Sequence, residues 1–392
     1  MGVFLPLRVA LVPAALLLVA ADDLKPADYA ADARSIEALV NKNYAYLERF
    51  PGERMPMTAK LRAEAEKVAT ARELTRYSER ALTLLADHHA ITGSSLKDSW
   101  AVVPSYSDLW VERRGADFVI EQVRQGSPAE KAGIQAGDRL SGVGGVPIGQ
   151  AVSDFWADVG TTGGGDRDGY AARILAAGRR DRERQLTIRH GASERPFTLP
   201  NLYAARSGDR PALSVVRGPH DLTIRFNDSL GGNSTIAAFD QAMASAKPGE
   251  RLVLDLRDTA SGGNTTVARA IMGWFVTKPS SYQVHRLPTE ERETGIPRQW
   301  LEQVLPRAGK HHAGRPTVLV GRWTGSMGEG LAIGFDALGA RVEGTAMSGL
   351  LGAVYDYKLE RSGQTVKLPT ERLYSVSGVP RERFVPRYKI SR

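Results

Sequence analysis

The chain has no cysteine among its 392 residues. That excludes disulfides, lipid attachment through cysteine and any thiol nucleophile, so packing alone must hold the fold. It also lacks an unbroken basic run: the net charge is +8, but the densest cationic stretch, GRRDRER at 178–184, has acids interleaved. Such a stretch reads as a solvated face, and nucleic-acid binding is not expected. The glycine-rich segment TTGGGDRD at 161–168 has neither the lysine nor the spacing of a phosphate loop, and it reads as a flexible insertion. The histidines form no H-x-x-x-H pair, so neither a metal site nor a cofactor is expected.

What is present is the composition of a soluble globular protein, with 42% hydrophobic and 24% charged residues, at a length that implies two or three domains. At the N-terminus Arg8 precedes the apolar run 9–20 (VALVPAALLLVA), followed by Ala21 and Asp22. The run is too short to span a bilayer, and a basic residue, a short apolar core and small residues fit a cleavable signal peptide over 1–21. A periplasmic or secreted location follows as an expectation, with membrane contact only through an uncleaved signal segment.

Residues 22–100 read as a helical subdomain, with helices over 26–50, 58–71 and 72–88 and a break at Pro51-Gly52. It ends in Asp87-His88-His89. Residues 101–205 change to strand, turn, short helix and strand, and a helix and two strands over 170–203 close that unit. From 206 to 392 strands alternate with helices, which implies an α/β layer fold.

Within that last part, residues 316–352 run from an apolar strand to a glycine-flanked serine, Ser326, then a helix and a second strand. Leu331, Ala332, Phe335 and Leu338 cover one face at the helical period and place Ser326 at a strand-to-helix turn. The first N–H groups of a helix have no internal partners and carry the positive end of its dipole. A serine hydroxyl there can attack a carbonyl while the Met327 N–H meets the oxyanion. The plainer reading is a helix cap, since Glu329 completes an S-x-x-E capping box.

TGSMGEG at 324–330 resembles the catalytic turn of the tail-specific, or C-terminal processing, serine peptidases and their relatives around the tricorn core protease. The resemblance covers nearly the whole mature chain. Residues 118–148 contain FVIEQV, GSPA, AG and GDRL in the order of a bacterial PDZ domain, which implies peptide binding by strand addition, with the loop 106–110 as the candidate carboxylate site. Asp255-Leu256-Arg257 followed by Gly262-Gly263-Asn264 resembles the family segment whose glycine pair supplies the second oxyanion donor, so the resemblance implies Gly262 or Gly263 in that role. The implied core is a crotonase-like or ClpP-like β/α arrangement.

One departure concerns the base. The family's main branch has lysine in a G-K-G loop, whereas this chain has MSGLLG at 347–352. A serine needs another group to take its proton. By resemblance to the tricorn-like branch the base is His89, with His88 as the alternative, and Glu382 in the tail orients it through an intervening polar residue. The expected activity is that of a serine endopeptidase on protein or peptide substrates, acting through an acyl-enzyme. The alternative is a catalytically inactive PDZ scaffold that binds peptides. Oligomeric state is left open.

Overall fold

The computed structural model describes residues 24–205 and 210–389. The expected signal peptide, 1–21, lies outside them. Among the described residues no helix is long and apolar enough to cross a membrane.

The helical region contains α1 (Pro26–Asn43), α2 (Ala59–Ala65) and α3 (Ala71–Thr83), followed by the short strand β1 (Ile91–Thr92). Thr58 and Thr70 cap α2 and α3 by accepting the N–H groups of Leu61 and Glu73. The first helix is shorter than its periodicity suggests. It stops before Tyr44 because the Ala45 N–H bonds the Pro369 carbonyl at 2.9 Å, pulling the chain onto the core.

The next unit contains β2 (Leu109–Arg114), β3 (Asp117–Val123), α4 (Pro128–Lys131), β4 (Arg139–Val143), β5 (Val146–Pro147), α5 (Ile148–Asp158), α6 (Asp166–Ala177), β6 (Arg184–His190) and β7 (Ser193–Leu199). Its sheet runs β2-β3-β4-β6-β7, with β5 on β4. The glycine-rich segment before α6 is packed rather than loose: a side chain at Gly163 would strike Trp156, and the Gly164 N–H donates to Asp168 at 2.8 Å. Helix α6 covers the outer edge of β2. The Arg173 guanidinium donates to the Val111 carbonyl at 3.0 Å, occupying an acceptor that an added peptide strand would need.

The loop 106–110 is likewise engaged. Tyr106 stacks on Tyr203 at 3.6 Å, the amides of Tyr106 and Ser107 donate to Val102 and Pro104, and buried Asp108 pairs with buried Arg184 at 2.7 Å. The Tyr106 and Ser107 amides are therefore already engaged within the chain, which leaves these two closed to a peptide carboxylate.

After α7 (Leu202–Ala205) the core contains β8 (Leu213–Arg217), β9 (Asp221–Phe226), α8 (Ser234–Ala244), β10 (Arg251–Asp255), α9 (Thr265–Met272), β11 (Ser280–Arg286), α10 (Pro288–Thr294) and β12 (Gln299–Val304). It continues with β13 (Thr317–Val320), α11 (Met327–Ala337), β14 (Arg341–Gly344), β15 (Ala353–Lys358) and β16 (Thr365–Tyr374). One sheet has the order β14-β13-β10-β9-β8, parallel except for the edge strand β8. Its apolar residues, among them Ile224, Leu254 and Val318, are fully buried, each contributing about 1.5–3 kcal/mol. The second sheet, β1-β16-β11-β12 with β15 on β16, is antiparallel.

Two consequences position the site. The helical region and the PDZ-like unit share one apolar cluster, separate from that of the α/β core. Strand β1 pairs with β16 through Ile91 and Lys367, which brings the preceding His89 from far upstream onto the core.

Candidate active site

In a parallel sheet the loops after the strand C-termini gather at one edge, where ligands bind. Here four such loops come together, after β9, β10, β13 and β14. Ser326 follows β13 and stands at the mouth of α11, with φ +50° and ψ −112°. That backbone conformation is rare for a residue with a side chain and stores about 1–3 kcal/mol, so its surroundings must impose it.

Glu329 does much of this. It is fully buried, and its carboxylate accepts the N–H groups of Ser326 at 2.8 Å, Gly349 at 2.9 Å and Leu350 at 3.3 Å. The capping glutamate thus ties the serine to the loop after β14. Burial pushes its carboxyl up to about 7, against the opposing pull of Arg381 and the three N–H bonds.

The loop after β10 closes the other side. Gly262 has φ +69°, and a methyl group built on it would collide with Ser326 Cβ and stand 3.0 Å from its Oγ and 3.1 Å from the Met327 nitrogen. Only glycine allows this approach. The Gly262 N–H is already donated to Thr259 O at 3.0 Å. The N–H groups of Met327 and Gly263 have no acceptor among the described residues.

The two histidines face apart. His88 Nε2 accepts from Arg173 Nε at 3.0 Å, and its ring stacks on Tyr170, so it belongs to the α6 side. His89 turns to the loop after β14. Its Nδ1 donates to the Leu351 carbonyl at 2.6 Å, and its backbone N–H donates to Asp87 Oδ1 at 2.8 Å. A carbonyl can only accept, so Nδ1 carries the proton and Nε2 keeps its lone pair. Burial, and next the charge of Arg381, lower His89 to about 4. Burial raises Asp87 to about 6, while its Oδ2 accepts from Tyr44 OH at 2.9 Å.

Ser326 and His89 are therefore held by neighbouring residues of one loop, 349–352. No hydrogen bond joins His89 Nε2 to Ser326 Oγ among the described residues. Among the described residues the expected relay from Glu382 is not formed: its Oε2 is buried without a hydrogen-bond partner there, and the Leu351 carbonyl holds Nδ1 instead. The sequence reading missed Arg381, which donates to the carbonyls of Leu350 at 3.0 Å and Gly352 at 2.7 Å. Its setting, RER in a charged tail, gave no sign of burial.

The second unit joins the site through β13's exit. Trp323 Nε1 donates to the Ser107 carbonyl at 2.9 Å, and Arg322 pairs with Glu121 and donates to the Met347 carbonyl at 2.9 Å. Among the described residues no cluster of three or more histidine, aspartate or glutamate side chains could hold a metal ion.

Residues 119–155 match the model of the PDZ domain, and residues 223–385 match that of peptidase family S41. No match was found among curated proteins. Among solved structures the chain is similar to the photosystem II D1 C-terminal processing protease, at 18% identity and TM-score 0.57, with 93% of each chain covered. It is also similar to mature CPAF complexed with lactacystin, at 13% identity and TM-score 0.59, with 93% of each chain covered. A putative peptidase from Parabacteroides merdae superposes with TM-score 0.52 at 11% identity, covering 94% of this chain and 90% of that one. These likenesses show the fold. Over 223–385 the chain thus matches peptidase family S41, with a PDZ-domain match at 119–155 in front of that core.

Proposed function

We propose that the chain is an exported serine endopeptidase with Ser326 as nucleophile and His89 as general base. The observation that carries this reading is the strained serine at the mouth of α11, beside two N–H groups without acceptors among the described residues and facing the same loop as a histidine whose Nε2 keeps its lone pair. In the substrate complex Ser326 Oγ attacks the peptide carbonyl carbon as His89 Nε2 takes the hydroxyl proton. The oxyanion lies against the N–H groups of Met327 and Gly263. Breaking the C–N bond passes that proton to the leaving amine and leaves an acyl-serine. Water then attacks the ester, again through His89, and frees the serine. Catalytic hydrogen bonds commonly tighten only in such complexes.

Of the glycine pair, Gly263 is the donor in this reading, because the Gly262 N–H is spent on Thr259. Gly262 instead makes room. Gly262→Ala should lower turnover by about 100-fold through displacement of Ser326, with a fall in the unfolding midpoint from its positive φ. Side-by-side hydrolysis and thermal melts check this, and an alanine variant with full turnover contradicts it.

Glu329 yields a pH prediction. Only the ionised carboxylate can accept all three N–H bonds, so activity should fall as pH drops through about 7. Its folded pKa lies above the ordinary 4.5, so its contribution to stability is present below 4.5 and lost as pH rises through 7. Activity and this part of stability thus move in opposite directions. In Glu329→Gln the activity limb near 7 should vanish, at an overall rate lower by about 10- to 100-fold. A limb that persists in that variant assigns it to another group.

Substrates in this reading are extended protein or peptide segments. Recruitment at the β2 edge of the PDZ domain requires Arg173 and α6 to give way first. For the same reason the inactive peptide-binding scaffold is the weaker reading, since the edge it needs is covered. Incubating the mature chain with an unfolded protein tests the proposal. Internal cleavage fragments are expected, and an intact substrate after long incubation at pH 8 would overturn it.

A further inference from the structure

Three consecutive carbonyls of the loop after β14 are claimed from two directions. Leu350 O and Gly352 O accept from Arg381 Nη2, and Leu351 O between them accepts from His89 Nδ1. Arg381 is only 3% exposed, forms no ion pair with a carboxylate among the described residues, and leaves its Nε buried without an acceptor. A buried cation satisfied only by carbonyls is expensive for folding, and a neutral side chain would serve packing better.

We propose that Arg381 is the positioning residue of the catalytic site, clamping the loop so that the Leu351 carbonyl, rather than a carboxylate, holds His89 with Nε2 toward the serine. This rests on the reading of His89 as base. In a serine hydrolase triad a carboxylate performs two tasks, fixing the imidazole tautomer and stabilising the imidazolium. Here a main-chain carbonyl performs the first. The second is weakened, because a fixed positive charge close by opposes protonation of the ring. Arg381 cannot itself replace the missing lysine as base, since a guanidinium does not lose its proton in a protein.

The charged groups at His89 are Arg381 of the tail, whose charge acts on the ring, and Asp87, which accepts the His89 N–H and is itself influenced by Arg49 and Glu382. Arg381 is the one whose charge depresses the imidazole, and it also holds down Glu329. The clamp therefore favours neutral His89, adding to the effect of burial, and ionised Glu329, opposing the effect of burial; these are the two protonation states the mechanism uses.

The experiment uses the full mature chain, with ring-labelled histidine followed by NMR and a fluorophosphonate labelling rate measured alongside. His89→Gln identifies the His89 resonance. Arg381→Gln should slow labelling by about 100-fold, as expected for a reacting group displaced by about 1 Å, and raise the His89 pKa. Arg381→Lys keeps the charge but cannot span two carbonyls in the same way, so it should slow labelling while leaving the His89 pKa low. If Arg381→Gln labels at the wild-type rate, or slows without moving the His89 pKa, the positioning role is overturned. A wild-type chain that never labels overturns instead the underlying reading of Ser326 and His89. The lysine variant keeps the test decisive should the glutamine variant fail to fold.

Discussion

Ser326→Ala is expected to abolish peptide hydrolysis, a loss of about 10⁶-fold by comparison with nucleophile deletions in serine hydrolases, while the fold stays intact. The second half follows from how the residue is held. Glu329 grips the backbone N–H of residue 326, not its side chain, so alanine retains the bond to Gly349 and Leu350 through the same carboxylate. The loops after β10 and β14 therefore keep their places, and the circular dichroism spectrum and melting temperature should match the wild type. If the hydroxyl were only a helix cap, the variant would lose about 1 kcal/mol of stability and keep its turnover. Hydrolysis and melting measured on one preparation separate the two cases.

The histidine pair provides the second large effect. His89→Ala should cost activity on the same scale as Ser326→Ala, and the double variant should be no worse than either single one, because the two groups act as a unit. His88→Ala should stay within about tenfold of wild type, since its ring meets Arg173 and Tyr170 rather than the loop at 349–352. What it should change is the packing of α6, read as a lower melting temperature. The opposite pattern, with His88 essential and His89 dispensable, would reassign the base.

These contrasts also mark what could be read in the chain before its fold was known. The place of Ser326 at a strand-to-helix turn was legible because the signals are local: an apolar strand, two glycines and a helix of clear period within a few residues. The order of helical region, PDZ domain and α/β core was legible for the same reason, since each has its own periodicity and turn residues. Which of the two adjacent histidines turns to the loop at 349–352 was less so, with His89 expected by resemblance and His88 as the alternative. They sit in a turn after α3, where side-chain direction is set by what packs against it, here β1 on β16 and α6 on β2.

Glycine content misled at 161–168, where it suggested flexibility. The glycines instead let the chain pass under Trp156 on its way into α6. The loop 106–110 misled in the other direction. The PDZ resemblance made it the candidate carboxylate site, and its residues are engaged by Tyr203, Arg184 and Trp323. Arg381 was invisible because arginine is ordinarily exposed, and nothing in its neighbours in sequence reports the two carbonyls of a distant loop that it meets.

The most direct measurement is the intact mass of the wild-type chain after exposure to a fluorophosphonate, followed by peptide mapping. The proposed chemistry predicts one stoichiometric adduct on Ser326, absent from Ser326→Ala and strongly slowed in His89→Ala. A wild-type chain that hydrolyses peptides yet carries its adduct elsewhere, or none at all, would contradict the assignment of Ser326 as the nucleophile.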